Sequence, residues 1–563
     1  MESADNFAEI EQKIQALEAQ VKEQSELINA QRLLISHYEE RLHLANRSQF
    51  GASNEQIPNQ LLIEGLFDDI FNEAEEQAEP SQQEPTYEEV TYKRKKRTGK
   101  RADDLSDLPV EHIEHELSEA ERICPECGEL MNDIGVTVRD EIEIIPARLV
   151  HKEHAVHAYG CPECNKNNDK TPIIRADSPR PLIGGSLATP SVVAHIAVQK
   201  YVNGVPLYRQ EKGFKYDNID LSRQTMANWL VYCAQTFLIA IYSLLFSYLI
   251  KETILHADET TVQVLHEPGR DAKTTSYEWL YRTSKYTDNP IVIYEYRETR
   301  KQEYPRAFLK DFKGYLHCDG YQAYHNLPPE IIVVGCWAHC RRYWEKLYTS
   351  IPEDKREGSL AERGLAYVSL LFVLEDEYRD LTPDDRLKMR LSCSKPVSDE
   401  FFEWVSTISP LPKSLLGDAV HYSLSQRKYL ENIYLNGRLE ISNNKAERSI
   451  KPFVQGRKQW LFSCTPNGAE ASSIIYSIIE TAKENNLHPF HYLKYLLEKL
   501  PDAKTSELEA LLPWSNSLPD YCRVPNNTSH IKPVKQKKLN KNLQRTMRNL
   551  RHTILDVKEQ AIN

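Results

Sequence analysis

Ile14, Leu17, Val21, Gln24, Ile28, Gln31, Ile35, Tyr38 and Leu42 follow one another in steps of three and four, and seven of these nine are apolar. A stripe this narrow is buried by a second helix, so the spacing predicts a coiled coil over 8–50 that pairs two copies of the chain. The alternative is an amphipathic helix folded back on its own chain. From about 190 to 250 the pattern is again helical. In IDLSRQTMANWL (219–230), Ser222 stands as an N-cap ahead of Arg223, Gln224 and Asn228. With the preceding LYRQEKGFKY it forms a candidate helix-turn-helix; a packing helix with a polar rim fits the same residues. From 252 the period changes. TILHADETTVQVL, SYEWLYRTS, NPIVIYEYRE and KGYLHCDGYQAY alternate or run apolar with β-branched and aromatic residues, as strands do. Residues 330–440 read as helix. SSIIYSIIETAKENNLHPFHYLKYLLEKL then reads as two helices broken at Asn485–Asn486, with Pro489 opening the second.

One stretch, 229–250, has 22 residues without a charge and passes the length test for a membrane span. Its three tyrosines, two serines, Gln235 and Thr236 favour a buried helix of a large domain, and no membrane partner is expected. The N-terminus carries charge from Glu2 onward with no apolar stretch behind it, unlike a signal peptide, so a cytoplasmic location is expected.

The net charge of −12 seems to disfavour nucleic acid, but its distribution reverses that. Residues 1–90 hold 20 acids and 5 bases, leaving a small positive excess for everything after them. Residues 72–90, acidic and rich in Gln and Pro, read as a disordered linker. KRKKRTGKR (93–101) has seven bases in nine residues. It is too charged to pack, and its Lys93, Arg94, Lys95, Lys96 and Arg97 suit DNA phosphates as well as a solvated tether. The segment from 531 has nine bases and two acids and reads as a helical or disordered basic appendage.

Two CPEC turns supply Cys124, Cys127, Cys161 and Cys164, each pair followed by a residue that tolerates positive φ, Gly128 or Asn165. Four such thiolates close a tetrahedral structural Zn²⁺ site, and the strand-like EIEIIPARLV and HKEHAVHAY between them return the chain as a hairpin. A redox reading leaves the matched second pair unexplained. His151, His154 and His157 then read as strand-surface residues.

Asp258 lies in the apolar strand ILHADET, where a charge is costly without a purpose. Asp319 ends YLHCDGY, and Glu447 sits alone among Lys445, Arg448, Lys451, Arg457 and Lys458 in NNKAERSIKPFVQGRKQW. Acid on a first strand, acid after a later strand and acid on a helix is the order of ribonuclease-H-like nucleotidyl transferases, in which carboxylates hold a pair of Mg²⁺ ions. Each acid also has a plain structural explanation, including a Glu447–Lys451 pair at i, i+4, and Glu259 and Glu440 are rival carboxylates. In GCWAHCRR (335–342), packing by Trp337 with Arg341 and Arg342 on DNA backbone reads better than a metal held by Cys336, His339 and Cys340.

From about residue 10 to 518 the chain resembles the transposases of bacterial insertion-sequence family 66. The likeness is carried in order by QFGASNEQ, the basic run into CPECG…CPEC, KYVNGVPLYRQEKGF, LHADET, HCDGYQAY, GCWAHCRRYWEKL, NNKAERSIKPFVQGRKQWLF and LLPW. Ser442, Lys451 and Gln459 depart from the residues usual there. The resemblance implies a multidomain α+β protein. A coiled coil at 8–50 and a linker and basic arm at 51–101 precede a zinc-ribbon-like domain at 110–172 and a helical segment at 185–250. A ribonuclease-H-like catalytic core at 251–329 and 441–480 is interrupted by a helical insertion at 330–440. A C-terminal helical module at 481–518 and a basic tail at 519–563 follow.

It further implies a DDE transposase with Asp258, Asp319 and Glu447 holding two Mg²⁺ (or Mn²⁺) ions, plus one structural Zn²⁺. Arg223, Gln224, Arg341, Arg342, Arg448, Lys451, Arg457 and Lys458 would contact double-stranded DNA, both element ends and target. The assembly expected on DNA is a homodimer or higher, with room for small accessory proteins of the same element. Two other readings stand beside it: an inactive, transposase-derived DNA-binding protein, and a metal-dependent nuclease without strand transfer.

Overall fold

The computed structural model describes Gln24, Gln31, Ile35 and residues 149–160, 173–525 and 541–556. The first three are helical and exposed, at positions of the heptad stripe. The chain divides into two units, Ile57–Arg180 and the remainder. In the smaller unit, β1 (Ala158–Gly160) pairs antiparallel with β2 (Ile173–Arg175). The four CPEC cysteines and the basic arm lie outside the described residues.

The larger unit begins with α1 (Pro190–Tyr201), α2 (Leu207–Tyr216) and α3 (Arg223–Cys233). Ser222 caps α3 as the sequence predicts, its side chain accepting the Thr225 N–H. After a π turn at Ala234–Leu238 the helix continues as α4 (Ile239–Leu249). Arg223–Leu249 is long and apolar enough to cross a membrane. Its Met226, Leu230, Ala234, Leu238, Ile241, Leu245 and Leu249 are nevertheless buried within the core. Tyr242 Oη also donates to the Tyr294 carbonyl at 3.0 Å, so one face of the stretch packs into the core.

Five strands follow: β3 (Ile254–Gln263), β4 (Thr275–Thr283), β5 (Val292–Arg297), β6 (Gly314–His317) and β7 (Ile331–Val334), with the short α5 (Glu303–Phe308) between β5 and β6. They form one mixed sheet of order β5-β4-β3-β6-β7. β4 runs antiparallel to both β3 and β5, and β6 and β7 run parallel to β3. Strand β7 corrects the reading of 330–440 as helix throughout. IIVV is an apolar run of four, and only its parallel partner β6 makes it a strand.

Edge strand β5 is closed by a helix. On α12 (Pro466–Glu484), Ser477 Oγ accepts the Tyr294 N–H at 2.8 Å, and Thr481 Oγ1 both accepts from and donates to Val292 at 3.0 Å. Asn485 donates to the Pro290 carbonyl. Three polar side chains spaced four apart thus satisfy backbone groups that would otherwise be an open ladder.

The insertion between β7 and Glu440 builds its own core from α6 (Trp337–Ser350), α7 (Leu360–Glu377), α8 (Pro383–Met389), α9 (Lys395–Ser406) and α10 (Leu415–Leu430). Trp337, Trp344, Tyr367, Phe401 and Phe402 are among its buried rings. A Cβ at Gly364 would stand 2.1 Å from the Trp344 ring, so only glycine lets α7 approach α6 this closely. The chain returns to the sheet through α11 (Asn444–Trp460), then α12 and α13 (Pro489–Lys499). The break at Asn485–Asn486 stands as expected, Asn486 having φ 56°. The basic tail provides α14 (Lys541–Arg551), whose Leu543 and Met547, with Ile554 beyond it, join the helical core. Part of that appendage is therefore a packed element of the insertion.

Candidate active site

Strands β3 and β6 lie side by side in parallel register, His256 opposite His317. Two residues beyond each of these, at adjoining positions, are Asp258 and Asp319. Helix α11 packs on β3 and places Glu447 in its first turn, buried. The three acids sit close enough to act on one another. Asp258 is pushed well above the usual carboxylate range, by burial first and then by the charges of Glu259, Glu447 and Asp319. Burial also raises Asp319, against the pull of the Tyr321 N–H and the charges of Arg300, His325 and Arg342. Asp258 Oδ1 accepts the Glu259 N–H at 2.9 Å, and Asp319 Oδ1 accepts the Tyr321 N–H at 2.9 Å. Glu447 Oε2 is buried without a hydrogen-bond partner. Converging carboxylates, one of them with a buried open oxygen, suit hard divalent cations, so the residues present fit Mg²⁺ or Mn²⁺.

The rival acids are accounted for differently. Glu259 is raised to about 7 by burial and by Asp319, but both its oxygens have partners. Arg300 pairs with Oε1, its Nε at 2.7 Å, and Tyr324 Oη donates to Oε2 at 2.6 Å. Glu440 lies with Oε1 3.3 Å from His256 Nε2. Burial alone would raise it, but the facing His256 outweighs that and holds it below the usual range.

Beneath the acids is a buried polar network that the sequence did not disclose. His256 and His317 stack with ring centroids 4.5 Å apart. His317 Nε2 accepts the Glu440 N–H at 3.2 Å, and burial, then the neighbouring His256, holds this imidazole well below its usual range. Asn443, 1% exposed, ties three elements together. Its Oδ1 accepts from His256 Nδ1 at 3.0 Å, its Nδ2 donates to the Ala257 carbonyl at 2.8 Å, and its N–H donates to Cys336 Sγ at 3.1 Å. One side chain thus holds the start of α11 against the strand of Asp258 and, through its backbone, against the N-cap of α6. The only signal in the sequence was its place four residues before Glu447.

The cations expected on DNA divide. Arg448 and Lys458 are exposed on α11, as are Arg223 and Gln224 at the start of α3, and Lys451 is half-buried. Arg457 is turned inward, donating to Thr261 Oγ1 at 2.8 Å and to the Thr261 carbonyl. That commits its Nη1 to β3. Arg341 binds Ser369 Oγ and Glu345. Arg342 Nη2 donates to Glu447 Oε1 at 2.6 Å, so Glu447 pairs with Arg342 where the sequence suggested Lys451. Trp337 packs as expected, fully buried with its Nε1–H on the Leu430 carbonyl. Cys340 is buried beside Ser423, away from any ligand role.

Family models match the chain in four places. The model described as Transposase IS66 family covers residues 185–471, half of the chain. The chain belongs to this family. The IS66 C-terminal element matches 477–514, the zinc-finger binding domain of transposase IS66 matches 121–165, and the model described as Transposase C of IS166 homeodomain matches 37–113. This IS66-family chain is similar to two proteins of Sinorhizobium fredii, described as uncharacterized proteins y4qI and y4hP. The first is 32% identical over 62% of this chain and 66% of its own length. The second is 27% identical over 69% of this chain and 73% of its own. The zinc-finger match spans all four CPEC cysteines and the family match spans all three acids.

Proposed function

We propose that this chain is a DNA transposase that binds insertion-sequence ends and carries out metal-dependent strand cleavage and strand transfer. One observation supports it above the rest: Asp258, Asp319 and Glu447 converge from β3, the end of β6 and the first turn of α11. The sheet order β5-β4-β3-β6-β7, three strands antiparallel and two parallel, is consistent with a ribonuclease-H-like core. Asp258, Asp319 and Glu447 would hold two Mg²⁺ or Mn²⁺ ions. When bound, these supply Lewis acidity to the phosphodiester and lower the pKa of an attacking water or 3′-hydroxyl.

The protein's own share is position and charge. Asn443 fixes α11 so that Glu447 meets the strand acids, and the fully partnered carboxylate of Glu259 stays outside the reaction. Arg448, Lys451 and Lys458 would neutralise phosphates beside the cut, with α3 and the basic run at 93–101 on element ends. The CPEC cysteines would hold one structural Zn²⁺, and a dimer through 14–42 would bring two ends together. The work would be done in the cytoplasm, with or without small proteins of the same element.

The test is incubation of the purified chain, Mg²⁺ and DNA carrying the element's ends. Cleavage followed by joining of the 3′ ends to target DNA is expected. Asp319→Asn should lose about 10²–10³-fold or more in rate, the scale of losing one preorganised electrostatic group, while end binding persists. Wild-type cleavage by that variant would remove the assignment. Cleavage without joining would mark a nuclease, and binding with no cleavage an inactive derivative.

A further inference from the structure

Helix α6 opens with Cys336 at its N-cap and carries His339 one turn on. Cys336 Sγ, a ring nitrogen of His339 and a carboxylate oxygen of Glu447 lie within 4.8 Å of one another. His339 Nδ1 and Glu447 Oε2 are buried with no hydrogen-bond partner. Cys336 Sγ already accepts the Asn443 N–H, the kind of contact that orients a metal-bound thiolate. We propose that Cys336, His339 and Glu447 form a second cation site, for a thiophilic divalent ion of the Zn²⁺ class, which shares Glu447 with the oxygen-only acids.

The donor set decides the class. Sulfur, imidazole nitrogen and one carboxylate are zinc donors, whereas Mg²⁺ takes oxygen. Three protein ligands leave a fourth position open to water. Around tetrahedral zinc, ligand atoms stand roughly 3–4 Å apart, against the 4.8 Å within which these three lie.

A guanidinium holds part of this ligand set in the chain as it stands. Arg342 Nη2 donates to Glu447 Oε1 at 2.6 Å and Nη1 lies 3.3 Å from His339 Nε2. Its side chain is 29% exposed and has a way out to solvent. Arg342 and a soft cation therefore compete for the same two residues. A soft cation bound here also draws Glu447 from Asp258 and Asp319, which makes it an antagonist of Mg²⁺; that last consequence rests on the proposed function.

The experiment uses the full chain, purified with its zinc-finger region filled, titrated with Co²⁺ in the absence of DNA. One further Co²⁺ should bind with a sulfur-to-cobalt charge-transfer band. Cys336→Ser should abolish the band, His339→Ala should weaken binding at least about tenfold, and Arg342→Ala should tighten it. Asp258→Asn should leave the band in place. His339→Ala and Arg342→Ala change partly exposed positions, so they still test the site should Cys336→Ser fail to fold. Co²⁺ binding without a sulfur band overturns the proposal, as does a band that survives both Cys336→Ser and His339→Ala. Because no DNA is present, either result stands apart from whether the chain moves DNA.

Discussion

Arg390, buried in the helical core, and Asp258, half-buried in the sheet, are ionisable residues provided for in opposite ways. All five N–H groups of Arg390 are used: on the Glu375 carboxylate and on the carbonyls of Ile433, Asn436 and Leu439. Asp258 receives one backbone N–H and otherwise faces carboxylates. The insertion uses its buried charge to hold the returning segment 433–439 in place. The sheet leaves its charge unsatisfied where Glu447 and Asp319 meet it. The number of partners is what separates the two, and it is what makes Asp258 a candidate functional residue.

Removing one partner on each side should separate the two cores most clearly. Arg390→Ala strands Glu375 and three carbonyls, and should cost about 3–5 kcal/mol, the scale for a broken buried ion pair. Chemical denaturation measures it, and a loss below about 1 kcal/mol would contradict the structural role. Asn443→Ala breaks a network that touches both regions. Its largest effect should be on metal, a rise of about 10–100-fold in the Mg²⁺ needed for half-maximal cleavage, as for an outer-shell partner. DNA affinity should stay within about threefold, because no phosphate contact is lost. Equal losses in both would instead mean general unfolding.

Asp258→Asn should do the reverse of Arg390→Ala. It relieves repulsion among buried acids while its side-chain oxygen can still accept the Glu259 N–H, so the metal-free chain should gain on the order of 1 kcal/mol near pH 8. A loss of stability would show that the acids are paired in a way this geometry does not contain. The smallest effect is a dependence on pH. Asp258 and Asp319 have folded pKa values raised above their unfolded ones. Their contribution to stability is therefore complete below the ordinary carboxylate range and is lost as pH rises through the raised values. The thermal shift produced by Mg²⁺ should accordingly be larger near pH 8 than near pH 5.5, by a few degrees. An equal shift at both would place the cation elsewhere.

Much of this protein was legible in the sequence. Local signals determined local things: Ser222 as a helix cap, alternation in β3 to β5, the break at Asn485–Asn486 and Pro489 at a helix start. The ordered motifs around Asp258, Asp319 and Glu447 carried the family, because residue type and spacing survive without coordinates. Tertiary structure decided the rest. Strand β7 depends on β6 for its hydrogen bonds, and a short apolar run has no period of its own to declare it. Arg457 and Arg342 read as DNA contacts because their neighbours are basic. Whether a cation faces solvent or turns onto Thr261 or Glu447 depends on elements about 100 to 200 residues away in the chain. Asn443 likewise means little until β3 and α6 come to either side of it. The sequence by itself named the acids, and only the fold could show which carboxylates keep their partners and which are left open.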